Sequence, residues 1–356
     1  MSHRTPPLKV LGACALLLST AACGPDAEPP APQPTAPDAG TAPDAGTTPD
    51  AGTPPPAQAP LPLPERASCT GLTVSAGTYE WEVPHAGYTR RYRVHVPPGY
   101  DATRPTAAVL NFHGYSSNSL EQEYVSRMSE VADTEGFLAV YPQGLDGPEL
   151  GLGGADTRSW NAGNCCGQAQ LLQADDVGFV DALLADLDTR VCLDTKRLYA
   201  TGLSNGGFFS YRLACERSGQ FAAIAPVAGM ESLDTCTPGR PVPVMHFHGT
   251  DDTTVLYEGG NNVPLAPPYP SAAESVSRWA QRNQCNGSAD TSYAQGDSTC
   301  VTHTACTQDA PATLCTVQGG GHTWPGGLVP PEYGKTTQDI DATREMWRFF
   351  SAHPRP

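Results

Sequence analysis

Beyond about residue 65 the chain alternates two hydrophobic patterns. Short, nearly unbroken apolar runs occur at 107–112 (Ala-Ala-Val-Leu-Asn-Phe), 197–201 (Arg-Leu-Tyr-Ala-Thr), 242–248 and 313–317, and each predicts a buried strand. Between two of them Val180, Leu183, Leu184, Leu187 and Val191 recur at helical spacing and predict a helix whose apolar stripe packs on a sheet. Residues 208–214 predict a second helix directly after the 197–201 strand. Strands alternating with helices indicate an α/β fold. Residues 65–356 form one large domain rather than two, because single hydrophobic cores reach about this size.

The junction between the 197–201 strand and the helix after it carries the most chemistry. It reads Gly202-Leu203-Ser204-Asn205-Gly206-Gly207, a G-x-S-x-G serine framed by strand and helix. That is the nucleophile elbow of α/β-hydrolases, in which the glycines allow a sharp turn and the following helix aims its N-terminal amides at an oxyanion. The elbow requires an acid and then a histidine downstream. Residues 242–252 end in a turn with two carboxylates, Asp251 and Asp252, and the 313–317 strand breaks at a glycine run before His322. In this order Ser204 is the nucleophile, His322 the base and Asp252 the group that orients it, with Asp251 the rival for the acid.

Here the chain resembles a known family. His248-Gly249-Thr250-Asp251-Asp252 is similar to the H-G-T-x-D acid turn of secreted bacterial esterases related to polyhydroxybutyrate depolymerases and feruloyl esterases. Residues 320–326, Gly-Gly-His-Thr-Trp-Pro-Gly, resemble their G-G-H-x-W-P-G histidine loop, and 175–179 their D-D-V-G-F segment. The resemblance runs from about Thr78 to the end. It implies the α/β-hydrolase fold, a mostly parallel central sheet with helices on both faces, and it favours Asp252 over Asp251. It also implies that the His113-Gly114-Tyr115 segment, after the 107–112 strand, supplies half of the oxyanion hole. The amides of Tyr115 and Asn205 are then the two donors, and His113 braces the loop rather than acting as a base. Tyr115 stands where relatives carry small residues or cysteine. Trp324, two residues after His322, and Trp160 are the expected aromatic walls of the substrate cleft.

Residues 1–64 depart from the globular pattern. Residues 1–22 have a positive start (His3, Arg4, Lys9), a short apolar run at 10–18 and small residues before Cys23, which is an export signal too short to span a membrane. The small residues before Cys23 resemble a bacterial lipobox and imply lipidation at Cys23, against plain secretion; Leu11-Gly12-Ala13-Cys14 is a second match with almost no apolar run before it. Residues 23–64 are rich in Pro, Ala, Asp, Gly and Thr, and the unit Thr-Ala-Pro-Asp-Ala-Gly at 35–40 recurs unchanged at 41–46 and with one change at 47–52. Such a tract buries no core and serves as an extended spacer.

The net charge of −16 makes nucleic acid a poor partner, and no phosphate-binding glycine motif indicates a nucleotide cofactor. Of twelve cysteines, setting aside Cys14 and Cys23 leaves ten, an even number that in an exported protein predicts disulfides. Cys215 with Cys236, and pairs within 285–315, are expected; adjacent Cys165 and Cys166 are expected to take different partners. His246 and His248 share one strand face but have no third ligand nearby in sequence, so no metal is expected. The expected protein is a monomeric, exported serine esterase without cofactor, anchored to a membrane only through a lipid on Cys23. Its substrates would be polyhydroxybutyrate-type polyesters or feruloyl or acetyl esters of plant polysaccharide. A peptidase of the same fold and a catalytically silent binding domain are the alternatives.

Overall fold

The computed structural model describes residues 63–147, 149, 157–262 and 267–356. The expected export segment, Cys23 and, but for Leu63 and Pro64, the spacer lie outside the described residues. The described strands are β1 (Gly77–His85), β2 (Tyr88–Val96), β3 (Thr106–Phe112), β4 (Leu138–Pro142), β5 (Leu193–Leu203), β6 (Ala223–Val227), β7 (Val244–Gly249), β8 (Ala289–Gln295), β9 (Ser298–His303) and β10 (Ala312–Val317). They form one sheet in the order β1-β2-β4-β3-β5-β6-β7-β10-β9-β8. The centre, from β4 to β10, is parallel, and antiparallel hairpins flank it on both sides. The two kinds of strand differ in sequence as their surroundings demand. β3, β4 and β6 are buried at almost every position, as strands covered on both faces must be, whereas edge strand β8 (Ala-Asp-Thr-Ser-Tyr-Ala-Gln) is polar and largely exposed.

Alternate β3 residues feed two cores. Ala108, Leu110 and Phe112 pack with α4 (Asp176–Arg190), α5 (Asn205–Glu216) and α6 (Ala272–Arg282). Ala107 and Val109 pack with α2 (Met128–Glu135) and α7 (Ala342–Ala352) on the opposite face. The expected stripe on α4 is present: Val180, Leu183, Leu184 and Leu187 are all buried, with Val191 at its C-cap. Asp175 caps this helix by accepting from the Gly178 amide at 2.9 Å. Asp176 does something else. It is buried, pairs with Arg90 at 2.8 Å and accepts from the Asn161 amide at 2.8 Å, fastening β2 and the loop after β4 to the helix start. Removing one partner of such a buried pair typically costs about 3–5 kcal/mol.

Five disulfides join the cysteines of the domain: Cys69–Cys192, Cys165–Cys166, Cys215–Cys236, Cys285–Cys306 and Cys300–Cys315. Cys215–Cys236 and the pairs within 285–315 are as expected. The expectation for Cys165 and Cys166 is corrected, since the two bond to each other. The other eight cysteines among the described residues already have partners elsewhere, so among those residues neither Cys165 nor Cys166 has another thiol to meet.

Candidate active site

Ser204 stands between the end of β5 and the start of α5 with φ 57° and ψ −121°, a conformation that costs an ordinary residue about 1–3 kcal/mol. The surroundings hold it there. The Ser204 amide donates to Val227 O at 2.9 Å on the neighbouring strand, and its carbonyl accepts from the Phe208 amide at 3.0 Å. The glycines on either side are sterically required. A Cβ on Gly202 would lie 2.5 Å from Phe112 O, and one on Gly206 would lie 2.1 Å from the same oxygen. The G-x-S-x-G spacing is thus dictated by how closely the elbow approaches the end of β3.

Because α5 begins at Asn205, the amides of its first turn have no acceptor within the helix and point to the serine end. The Asn205 side chain is pinned as well: its Oδ1 accepts from the Trp160 amide at 2.7 Å and its Nδ2 donates to Trp160 O at 3.0 Å. The loop after β3 lies against the same turn, with a Cβ on Gly114 falling 3.5 Å from Ser204 Cβ. His113 is buried in this loop. Its Nδ1 donates to Gly114 O at 2.7 Å and its Nε2 accepts from the Gly144 amide at 3.0 Å, the arrangement of a neutral imidazole bracing a loop.

The acid and the histidine arrive on neighbouring parallel strands, β7 and β10. His322 Nδ1 lies 2.7 Å from Asp252 Oδ2. The other carboxylate oxygen, Oδ1, accepts from the amides of Thr254 and Val255, each at 2.8 Å. His322 is itself held from behind, its amide donating to Tyr333 O at 2.7 Å. Burial alone would raise the Asp252 pKa, but hydrogen bonds from His248 and His322 outweigh it and hold the carboxyl well below the usual carboxylate range. Asp252 is therefore ionised and buried, as a group that orients an imidazole must be. Asp251 is exposed and lies outside this cluster, its backbone amide donating to Gly320 O at 2.9 Å.

A cavity of about 220 Å³ opens at Ser204, lined by Tyr115, Cys166, Gly167, Phe208 and the turn at 253–255, and its lining is mostly apolar. It is smaller than the roughly 300–1,000 Å³ of drug-sized sites and suits one ring or a short chain. Tyr115, half-exposed, packs over Gly167, where a Cβ would lie 2.4 Å from its ring.

The two tryptophans expected as cleft walls are corrected. Trp324 is fully buried in the core beneath α7, and its Nε1 donates to Thr343 Oγ1 at 2.9 Å. Trp160 is fully buried against Phe112, Phe179 and Phe209, and its Nε1 donates to His113 O at 3.0 Å. Neither lines the cavity. Two large apolar rings with one hydrogen bond each are more stable inside than at a wet cleft. Of the residues that do line it, Tyr115 is singled out by the sequence, and Phe208 was within reach: four residues after Ser204, it lies one helical turn along α5 on the same side. No local signal marks Cys166, Gly167 or Val255.

No family model matches the chain. The putative esterase NocK of Nocardia uniformis subsp. tsuyamanensis is 31% identical over 344 residues, covering 89% of this chain and 90% of that protein. Feruloyl esterase B of Piromyces equi is 31% identical over 241 residues, 65% of this chain, but the match spans only 42% of that protein. Among solved structures, an acetyl xylan esterase from Aspergillus awamori superposes with a TM-score of 0.52 at 14% identity, covering 77% of this chain and 99% of its own, a likeness of fold. With a relative matched over nine-tenths of its length and an elbow, acid turn and histidine loop of this kind on one sheet edge, the chain belongs to the family of α/β-hydrolase carboxylic esterases that includes the feruloyl esterases.

Proposed function

We propose that Ser204, Asp252 and His322 are the nucleophile, acid and base of an esterase that works through an acyl-enzyme. His322 takes the Ser204 proton as Oγ attacks the ester carbonyl carbon, and the oxyanion that forms accepts hydrogen bonds from the Asn205 and Tyr115 amides. The C–O bond to the leaving alcohol breaks, and His322 returns the proton to that oxygen. Water then repeats the sequence: His322 takes its proton, hydroxide adds to the acyl carbon, and the acid leaves as Ser204 Oγ is reprotonated. The observation that carries this reading is the strained Ser204 turn at the same sheet edge as a buried, ionised Asp252 bonded to His322 Nδ1.

The substrates are carboxylic esters with a compact acyl group: feruloyl or acetyl esters of plant polysaccharide, or polyhydroxybutyrate-type polyesters. The small apolar cavity fits a compact acyl group, and relatives named feruloyl esterase and acetylxylan esterase support the feruloyl and acetyl esters. Export of the chain as a monomer, with a lipid on Cys23 and a spacer ahead of the catalytic domain, completes the reading, and the five disulfides support an oxidising compartment.

The test is a fluorophosphonate label combined with a substrate panel. The wild-type protein is expected to be labelled at Ser204 and to hydrolyse p-nitrophenyl butyrate, methyl ferulate or a hydroxybutyrate oligomer, and Ser204→Ala is expected to lose labelling and all but a trace of turnover. A folded Ser204→Ala protein with near wild-type activity would overturn the assignment.

A further inference from the structure

Behind Asp252 lies a run of buried polar groups for which the catalytic scheme has no use. Tyr211 on α5, and His246 and His248 on β7, are all fully buried. Tyr211 Oη lies 2.9 Å from His246 Nδ1, and His246 Nε2 lies 3.0 Å from His248 Nδ1. His248 Nε2 lies 2.8 Å from Val255 O and 3.3 Å from Asp252 Oδ2, the same oxygen that meets His322.

With both rings neutral, one set of proton positions satisfies every contact. His248 Nε2 faces only acceptors, so it carries the hydrogen. Its Nδ1 is then an acceptor and takes the hydrogen on His246 Nε2, and His246 Nδ1 takes the hydroxyl hydrogen of Tyr211. Burial, with His248 beside it, drives the His246 pKa well below the ordinary imidazole value and keeps that ring neutral. The paired imidazoles bond to each other and to the acid turn, which leaves no lone pair facing an open ligand position.

We propose that His248 is a positioning residue for the acid of the triad: its Nε2–H, held in that tautomer by the acceptors Val255 O and Asp252 and backed by His246 at Nδ1, shares the Asp252 carboxylate with His322 and limits how strongly that carboxylate holds the catalytic imidazolium. The inference rests on the triad reading above. Other groups face this cluster from every side. Tyr257 lies edge-on to His248 at 5.8 Å, Tyr269 feels the Asp252 charge, Tyr333 lies 6.5 Å from His322, and Glu231 and Arg282 act on Tyr211. Burial pushes the Tyr211 and Tyr269 phenols up, away from the range in which the base must be neutral.

Without the His248 donor the carboxylate is more basic, the His322 imidazolium is held more firmly, and activity is lost at a higher pH on the acid side. The experiment measures kcat and KM for p-nitrophenyl butyrate across pH in the full chain, for wild type, His248→Leu and His248→Gln. Gln keeps an N–H near the Nε2 position. His248→Leu is expected to lower kcat about ten- to hundred-fold with KM within about two-fold, and to move the acid limb to higher pH. His248→Gln is expected to restore the limb and most of kcat. Equal losses in both variants with an unmoved limb, or wild-type behaviour of His248→Leu, would overturn the proposal. If neither variant folds, 15N-histidine NMR of the wild type decides: a hydrogen on His248 Nε2 supports the proposal, and a His248 ring that carries its hydrogen on Nδ1 alone overturns it. Fluorophosphonate labelling of the wild type separates the two levels, because an unlabelled wild type removes the triad reading itself.

Discussion

At the end of β5 the backbone is both crowded and strained, whereas at the end of β7 it is crowded without such strain and its tip is held by hydrogen bonds. The Ser204 turn approaches Phe112 O so closely that only glycine fits at 202 and 206, and its strain is balanced by two backbone bonds. The Asp252 turn has no comparable strain. Its carboxylate is met by the Thr254 and Val255 amides, His322 and His248, and the turn exists to satisfy those donors. Both turns are intolerant of added volume, since a Cβ on Gly249 would lie 2.2 Å from Gly320 O, but only the second is also intolerant of lost polarity at its tip. The largest expected effect follows from the second. Asp252→Asn replaces an acceptor with a group that also donates, mispairs the imidazole and is expected to lower kcat by about 10⁴-fold. The exposed Asp251→Asn is expected to stay within about two-fold. Steady-state kinetics on the pair checks this, and a larger loss at Asp251 would move the acid by one residue.

Crowding is tested by Gly206→Ala. A Cβ only 2.1 Å from Phe112 O has backbone, not a flexible side chain, as its neighbour. The elbow has to shift, at a cost of about 1–3 kcal/mol in stability, with loss of most activity because Ser204 moves with it. Thermal unfolding and turnover are read together. An unchanged melting temperature would mean that β3 yields and that sterics do not dictate the glycine.

The same contrast explains how much of the molecule was legible in sequence. Crowding leaves local marks. Glycines spaced about Ser204, a strand before it and a helix after it are neighbours in the chain, so the elbow and the parallel sheet could be read directly. Hydrogen-bond partners leave none. Asn205 is pinned by Trp160, 45 residues away, and Asp176 by Arg90, 86 residues away. Those distances are closed only by folding, which is why Trp160 looked like a cleft wall. The His246-x-His248 pair was visible as a pattern, but its meaning depended on Tyr211 and Asp252 lying at its two ends. Cys165 and Cys166 failed for a related reason: the pairing of each cysteine is decided by where all the others have gone.

The cavity wall provides a milder test, since it was the least legible part of the site. Tyr115 is the aromatic ring that lies both in the cavity at Ser204 and half in solvent. Its ring packs on Gly167, a position with no side chain to replace the contact. Tyr115→Ala is expected to raise KM for methyl ferulate by about five- to ten-fold, within the roughly 0.5–1.5 kcal/mol of one aromatic pair. KM for a small acetyl ester should change by less than about two-fold, and the oxyanion amide is kept because it belongs to the backbone. Equal changes on both esters would mean that Tyr115 shapes the loop rather than the substrate.

Trp324 gives the smallest expected effect and the sharpest contrast with Tyr115. It sits two residues from His322, yet its ring is fully buried and its Nε1 donates to Thr343 Oγ1. Thr343 Oγ1 also donates to Ser126 O at 2.7 Å, so the hydroxyl keeps a partner when the indole is removed. Trp324→Phe loses one neutral hydrogen bond and some ring volume, which together cost about 1–3 kcal/mol of stability. KM for methyl ferulate and for an acetyl ester should both stay at wild-type values, since the ring is not part of the cavity wall. A lowered melting temperature with unchanged KM on both esters is the expected result. A rise in KM confined to the ferulate ester would put Trp324 back at the substrate and make the histidine loop, rather than the loop after β3, the source of aromatic selectivity.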